Sequence, residues 1–187
     1  MKVYYFTPYA TDKNLGAAYN EYMELLPNDD DWACFLDGDT MFLIPDWGNI
    51  IQQAVTSHPD TGMFTCYTNR VNNPQQLYRG SFSENGDIRA HRNIAITCRE
   101  MHPYQVTPLS RVISGMMMVI QKKTWKEFPF TDGLLKVDND ISRRLLKAGK
   151  PVMLIQGIYL LHYYRLNEGR HNTEHLIINK KLEIQET

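Results

Sequence analysis

Residues 32–41 read WACFLDGDTM, an apolar run that stops abruptly on Asp37 and Asp39, two carboxylates separated by one glycine. The apolar part reads as a buried strand over residues 32–37. Two like charges at its end repel, and that arrangement is unfavourable unless a cation, a proton or solvent relieves it.

The chain on either side of this stretch alternates between strand and helix. Residues 2–9, KVYYFTPY, are β-prone up to Pro8, and Leu15, Ala18, Tyr19, Met23 and Leu26 then recur at helical spacing until Pro27. With the turn NDDD at 28–31, the first forty residues predict a βαβ unit with parallel strands and a right-handed crossover. A helix entered near Asp46 and a strand over GMFTCYTN, ending in Thr68 and Asn69, continue the alternation. From Arg70 to Pro108 the periodicity fades, which predicts loops or a small irregular excursion. Beyond it come a strand and short helix in VISGMMMVIQKKTWKEF, a helix in DNDISRRLLKAG closing at Gly149, and a last strand in PVMLIQGIYLLHYY. The expected fold is α/β, a single domain over residues 1–187 with a mixed, mostly parallel sheet flanked by helices. Its expected parts are residues 1–69, an irregular segment 70–110, a second half 111–166 and a charged tail 167–187.

Composition narrows the function classes. Lys and Arg total 20 against 21 Asp and Glu, a formal charge of -1, so no global basic field attracts nucleic acid or an anionic membrane. The opening MKVYYFTPYATDK lacks a signal-type apolar core, and no stretch reaches the roughly 18 uninterrupted apolar residues of a membrane span. The expected location is cytoplasmic. Cys34, Cys66 and Cys98 are widely spaced with no C-x-x-C pair, which favours buried structural thiols over a zinc or redox site.

Ligands of open α/β sheets collect at the carboxyl ends of the strands, where Asp37 and Asp39 stand. Gly38 between them offers backbone freedom to aim both side chains at one point. Such a pair suits Mg2+ or Mn2+, hard ions that combine carboxylates, water and phosphate oxygens. The alternative is that D-G-D-T is merely a turn, since Asp and Gly are common turn formers. A phosphatase of the haloacid-dehalogenase type also places a D-x-D at a strand end. That pattern wants Thr or Val two places after the second Asp, where this chain has Met41.

Several stretches, in order, resemble a small GT-A fold (Rossmann-like) glycosyltransferase similar to glycosyltransferase family 2. KNLGAAYN (13–20) resembles the glycine-containing segment ahead of the D-x-D strand, and ISGMMMVIQKKTW its acceptor-side strand and helix. VDNDISRRLLKAG resembles the E-D-x-x-L-x-x-R-x-x-x-x-G motif, with Asp138 on the motif Asp, Ile141, Arg144 and Gly149 on its later positions, and Val137 in place of the usual acid. LLHYYR resembles the late metal-binding histidine segment, and coverage runs over most of residues 3–165.

The resemblance implies a metal-dependent inverting transfer of a sugar from a nucleotide-diphosphate donor to a carbohydrate or other hydroxyl acceptor. It implies Asp138 as catalytic base, Asp37, Asp39 and His162 around Mn2+ or Mg2+, and Asp37 with Gly38 at the nucleotide diphosphate. Helix-terminal stabilisation is the competing role for Asp138, as it is for Asp140, and a core or edge histidine is the competing role for His162. Relatives carry an extra strand and helix before the D-x-D strand, so the nucleotide pocket is expected to be reduced. Thr7, Pro8, Tyr9 and Asp12 could line it, and Lys13 and Asn14 could meet the diphosphate near a helix start; solvated-loop roles compete for each. Tyr78, Arg79, His91 and Arg92 could frame the acceptor. A nucleotidyltransferase or other phosphate-handling enzyme, and a non-catalytic sugar- or nucleotide-binding domain, are the alternatives.

Overall fold

The computed structural model describes residues 1–163; Tyr164, Arg165 and the charged tail 167–187 lie outside them. Strand β1 (Val3–Phe6), helix α1 (Leu15–Glu24) and strand β2 (Trp32–Leu36) form the expected opening unit, with β1 and β2 paired in parallel. There follow β3 (Thr40–Phe42), α2 (Trp47–Ser57), β4 (Met63–Thr68), single 3-10 turns at Pro74–Gln76 and Tyr78–Gly80, and α3 (Ile88–Met101). The chain continues through β5 (Val106–Pro108), β6 (Met117–Gln121), α4 (Lys122–Glu127), α5 (Val137–Lys147) and β7 (Val152–His162).

Among the described residues the strands form one seven-stranded mixed sheet in the order β1-β2-β6-β4-β7-β3, with β5 also on β7. The strands β1, β2, β4 and β7 run one way, while β6, β3 and β5 run the other. The expected α/β class, mixed and mostly parallel, therefore holds. Antiparallel β6 sits between β2 and β4, so the parallel neighbours are β1 with β2 and β4 with β7.

Successive residues of β2 serve opposite faces of the sheet. Trp32 and Cys34 join a core with Ile50, Ile51 and Val55 of α2 and Ala95 and Cys98 of α3. Ala33 and Phe35 join a second core with Tyr19 and Met23 of α1 and Ile141 and Leu145 of α5. Both faces are covered, which is why the strand reads as an uninterrupted apolar run. Each fully buried side chain of this size stabilises the fold by ~1.5–3 kcal/mol. The three cysteines are free and buried, as expected.

Three elements depart from the sequence expectation: α3, β3 and β5, the last a three-residue strand within the segment 70–110 that pairs antiparallel with β7. The segment read as irregular contains α3, fourteen residues long, which buries only His91, Ala95 and Cys98 against the sheet. That i, i+4, i+7 strip is narrow, and one of its members is a histidine, so the surrounding Arg, Asn and Glu hide the period. The second is β3, three residues long, which exists because it pairs with the distant end of β7.

Candidate active site

The four strands that share a direction deliver their C-terminal ends to one rim of the sheet. Thr7 follows β1, Asp37 follows β2, Asn69 follows β4, and His162 ends β7. Because β6 is antiparallel, the segment entering it, Ser114–Met116, arrives at the same rim, where Met116 O accepts from the Asp37 N–H at 3.2 Å.

Asp37 to Thr40 is both a turn and a carboxylate pair, so the two readings of D-G-D-T are compatible. Thr40 donates to Asp37 O from its N–H at 3.3 Å and its hydroxyl at 2.7 Å. β3 then runs antiparallel to β7, with Thr40 opposite His162 and the Tyr163 N–H donating to Asp39 O at 2.8 Å. Gly38 has no positive φ, contrary to the expectation that backbone freedom is its role. A Cβ there would meet only the Thr7 methyl, at 3.7 Å, which places Thr7 beside the turn.

His162 is buried and fixed on three sides. The Asn69 side chain accepts from the His162 N–H at 2.8 Å and donates to its carbonyl at 3.0 Å. Nδ1 lies 3.1 Å from Arg70 O. A carbonyl only accepts, so Nδ1 carries the proton and Nε2 is left facing Asp39 Oδ1 at 3.4 Å. The carboxylates of Asp37 and Asp39 and the imidazole offer ligand atoms within 4.8 Å of one another. An imidazole oriented by a backbone carbonyl through its other nitrogen is a usual outer partner arrangement for a metal-ligating histidine. Nε2 and a carboxylate oxygen facing each other are stabilised by a shared proton or cation. The residues therefore fit a divalent ion of the Mn2+ or Mg2+ type.

The electrostatics distinguish the two aspartates. Burial pushes Asp37 up to about 6; His162 opposes this, and the neighbouring Asp39 and Asp138 charges add to it. Burial also acts upward on Asp39, but when His162 is protonated on both nitrogens its hydrogen bond and positive charge outweigh that and hold Asp39 below the ordinary carboxylate value. Asp39 stays ionised, and Asp37 is the group whose proton a cation would displace.

Asp138 is not the cap of its helix. The N-cap is Lys136, in a left-handed conformation (φ 66°) with no side-chain cap, and Asp138 stands inside the first turn. Its Oδ2 accepts from the Gly115 N–H at 2.7 Å. Burial raises its pKa, against backbone hydrogen bonds from Asn139, Gly115 and its own N–H. Asp140 instead takes the helix-stabilising role, bonded to Arg144 Nε at 2.8 Å and to the Thr131 hydroxyl at 3.1 Å. Tyr19, on α1, is buried, and its phenol is raised by that burial and by the charges of Asp37 and Asp138. All three groups belong to one electrostatic site.

Apart from Thr7, which stands beside Gly38, the remaining expected residues are dispersed. Asn14 caps α1, its Oδ1 accepting from Ala17 N at 3.1 Å and Gly133 N at 2.9 Å, while Asp12 Oδ1 accepts from Asn14 N at 3.0 Å. These acceptor atoms therefore hold the loop rather than face a ligand. Tyr9, Asp12 and Asn14 line a depression of about 180 Å³ that does not include the Asp37–Asp39–His162 cluster. Thr7 is exposed, Pro8 half-buried, and exposed Lys13 adopts φ 60°. His91 does not frame an acceptor. It is buried, with Nε2 2.6 Å from Asn85 O and Nδ1 2.6 Å from the Tyr159 hydroxyl. Tyr78 and Arg79 line a separate hollow of about 180 Å³ with Tyr67 and Cys98, and Arg92 is exposed.

Asn69, Gly115 and Tyr19 are site residues that sequence reasoning did not assign. Asn69 carries a weak signal as the polar end of a strand; Tyr19 reads only as a core position of α1, and Gly115 only as part of a strand entry. Among the described residues no helix is long and apolar enough to cross a membrane. A scan against models of protein families and a search among curated proteins find no match to this chain.

Proposed function

We propose that the chain is a metal-dependent inverting glycosyltransferase, similar to family 2, that moves a sugar from a nucleotide-diphosphate donor to a hydroxyl acceptor. The observation that carries this reading is the convergence of Asp37, Asp39 and His162 within 4.8 Å at a strand-end rim that also holds Asp138. A cytoplasmic setting is part of the proposal, supported by three free, buried thiols.

Asp39 and His162 would hold Mn2+ or Mg2+, with Asp37 completing the set or reaching the donor diphosphate. The ion, when bound, supplies neutralisation of charge on the departing diphosphate. Asp138 takes the acceptor hydroxyl proton on its carboxylate while that oxygen attacks the anomeric carbon from the face opposite the leaving group, which inverts the centre. Burial strengthens Asp138 as a base, and the Gly115 N–H fixes the orientation of its carboxylate.

The test has two arms. Mn2+ calorimetry on wild type, Asp39→Ala and His162→Ala should show binding lost in the first variant and weakened in the second; equal affinity in wild type and Asp39→Ala ends the metal assignment. With a donor found from a panel of nucleotide sugars, Asp138→Asn should keep Mn2+ and donor affinity while transfer falls roughly a hundredfold. Wild-type turnover in Asp138→Asn ends its assignment as base.

A further inference from the structure

The chain between Arg111 and Gly115 has no regular secondary structure, yet side chains from two parts of the fold, the turn at residues 73–76 and helix α5, hold its backbone. Asn73 Nδ2 donates to Val112 O at 3.0 Å, and Asn139 Nδ2 donates to Ile113 O at 2.7 Å. The Ile113 N–H donates to Ser142 Oγ at 3.2 Å. Buried Gln76 bonds both sides of Ser114, donating to its carbonyl at 3.0 Å and accepting from its N–H at 2.7 Å. Asp138 takes the next N–H, that of Gly115. Such a polar scaffold makes irregular backbone rigid, and rigid irregular backbone is what positions a ligand accurately.

This segment forms one wall of a cleft of about 210 Å³ in which Asn72, Asn73, Arg111, Ser114 and Asn139 share the lining with apolar Pro74 and Val112. Ser114 and Asn139 are the chain neighbours of Gly115 and Asp138, so this lining is continuous in sequence with the Gly115–Asp138 hydrogen bond, while the Asp138 side chain is not itself part of the cleft. It is smaller than the 300–1,000 Å³ typical of drug-sized ligands, which favours a compact molecule. Its cation is Arg111, an exposed side chain that no carboxylate pairs among the described residues. Arg111 and Gly115 are four positions apart, a span of at most roughly 14 Å when extended. A guanidinium there suits a planar or tetrahedral oxyanion.

We infer that the acceptor is a small hydroxyl compound carrying a phosphate or carboxylate group, which Arg111 anchors in this cleft while its hydroxyl reaches Asp138. The inference rests on the glycosyltransferase reading for the role of Asp138, and the cleft's preference for a hydroxylated anion can be tested without it.

Glycerol 3-phosphate, D-glycerate and glycerol serve as probes in a heteronuclear NMR titration of the isotope-labelled full chain. Either anion should shift the Ser114 backbone amide and the side-chain amides of Asn72 and Asn139, and comparing the two identifies the preferred oxyanion; glycerol at the same concentration should not. Arg111→Gln should weaken anion binding at least tenfold, with Arg111→Lys intermediate and the spectrum otherwise preserved. Equal binding of anion and glycerol, unchanged affinity in Arg111→Gln, or shifts centred away from the cleft would overturn the inference. Mn2+ and nucleotide-sugar binding on the same samples separates the two levels. Anion binding without metal or donor binding retains the cleft and removes the transferase reading, whereas metal and donor binding with a silent cleft does the reverse.

Discussion

Gly115 and Asp138 are in such close contact that only glycine fits. The Gly115 N–H donates to Asp138 Oδ2 at 2.7 Å, and a Cβ on residue 115 would stand 2.7 Å from Asp138 Cβ. The contact joins the entry of β6 to the first turn of α5, and it sets the direction of the carboxylate proposed as base.

Gly115→Ala should therefore push Asp138 away while leaving the Asp37–Asp39–His162 cluster in place. Overpacking of this kind costs about 1–3 kcal/mol of stability. Transfer should fall by about tenfold or more with Mn2+ affinity retained, because misplacing a catalytic group costs rate steeply. Melting temperature, Mn2+ calorimetry and turnover on one preparation check it. Unchanged turnover would show that the orientation of Asp138 is not limiting.

The raised pKa of Asp37 gives a pH dependence of defined sign. In the metal-free protein its folded value is about 6, against about 3.9 in an unfolded chain. Its contribution to stability is thus fully present below about pH 4 and is lost as pH rises through about 6. Mn2+ selects the ionised form, so saturating Mn2+ should reverse this trend and its binding should release protons below about pH 6. Calorimetry in buffers of different ionisation enthalpy at pH 5.5 and 7.5 measures that release. Asp37→Asn should abolish it and raise metal-free stability near pH 7; a pH-independent Mn2+ affinity across this range contradicts the assignment.

His91 provides a structural control. It links α3 to the sheet through the Tyr159 hydroxyl and holds Asn85 O, both at 2.6 Å. His91→Leu strands the buried Tyr159 hydroxyl, at a cost of about 1–3 kcal/mol, and releases the carbonyl of Asn85, an exposed residue, to solvent. Chemical denaturation should show a loss on that scale, with Mn2+ affinity unchanged in the folded fraction. A selective loss of Mn2+ or acceptor binding without destabilisation would return His91 to the functional site.

The sequence by itself determined the local elements and the chemical types at the site. The uninterrupted apolar run 32–36 specified a strand buried on both faces, the spacing of Tyr19 and Met23 specified one side of α1, and the abrupt Asp37–Asp39 pair marked a place needing a cation or proton. These signals are local, because periodicity and turn chemistry act over a few residues. Tertiary structure decided what depends on distant partners. The antiparallel direction of β6 brings Gly115 to the rim, β3 exists only against the end of β7, and Asn69 clamps His162 from ninety-three residues away. It also decided that Asn14 and Asp12 spend acceptor oxygens on their own loop and that His91 belongs to the core. A side chain's partners are set by the register and packing of remote segments, and a one-residue change of register would turn each of them to another face.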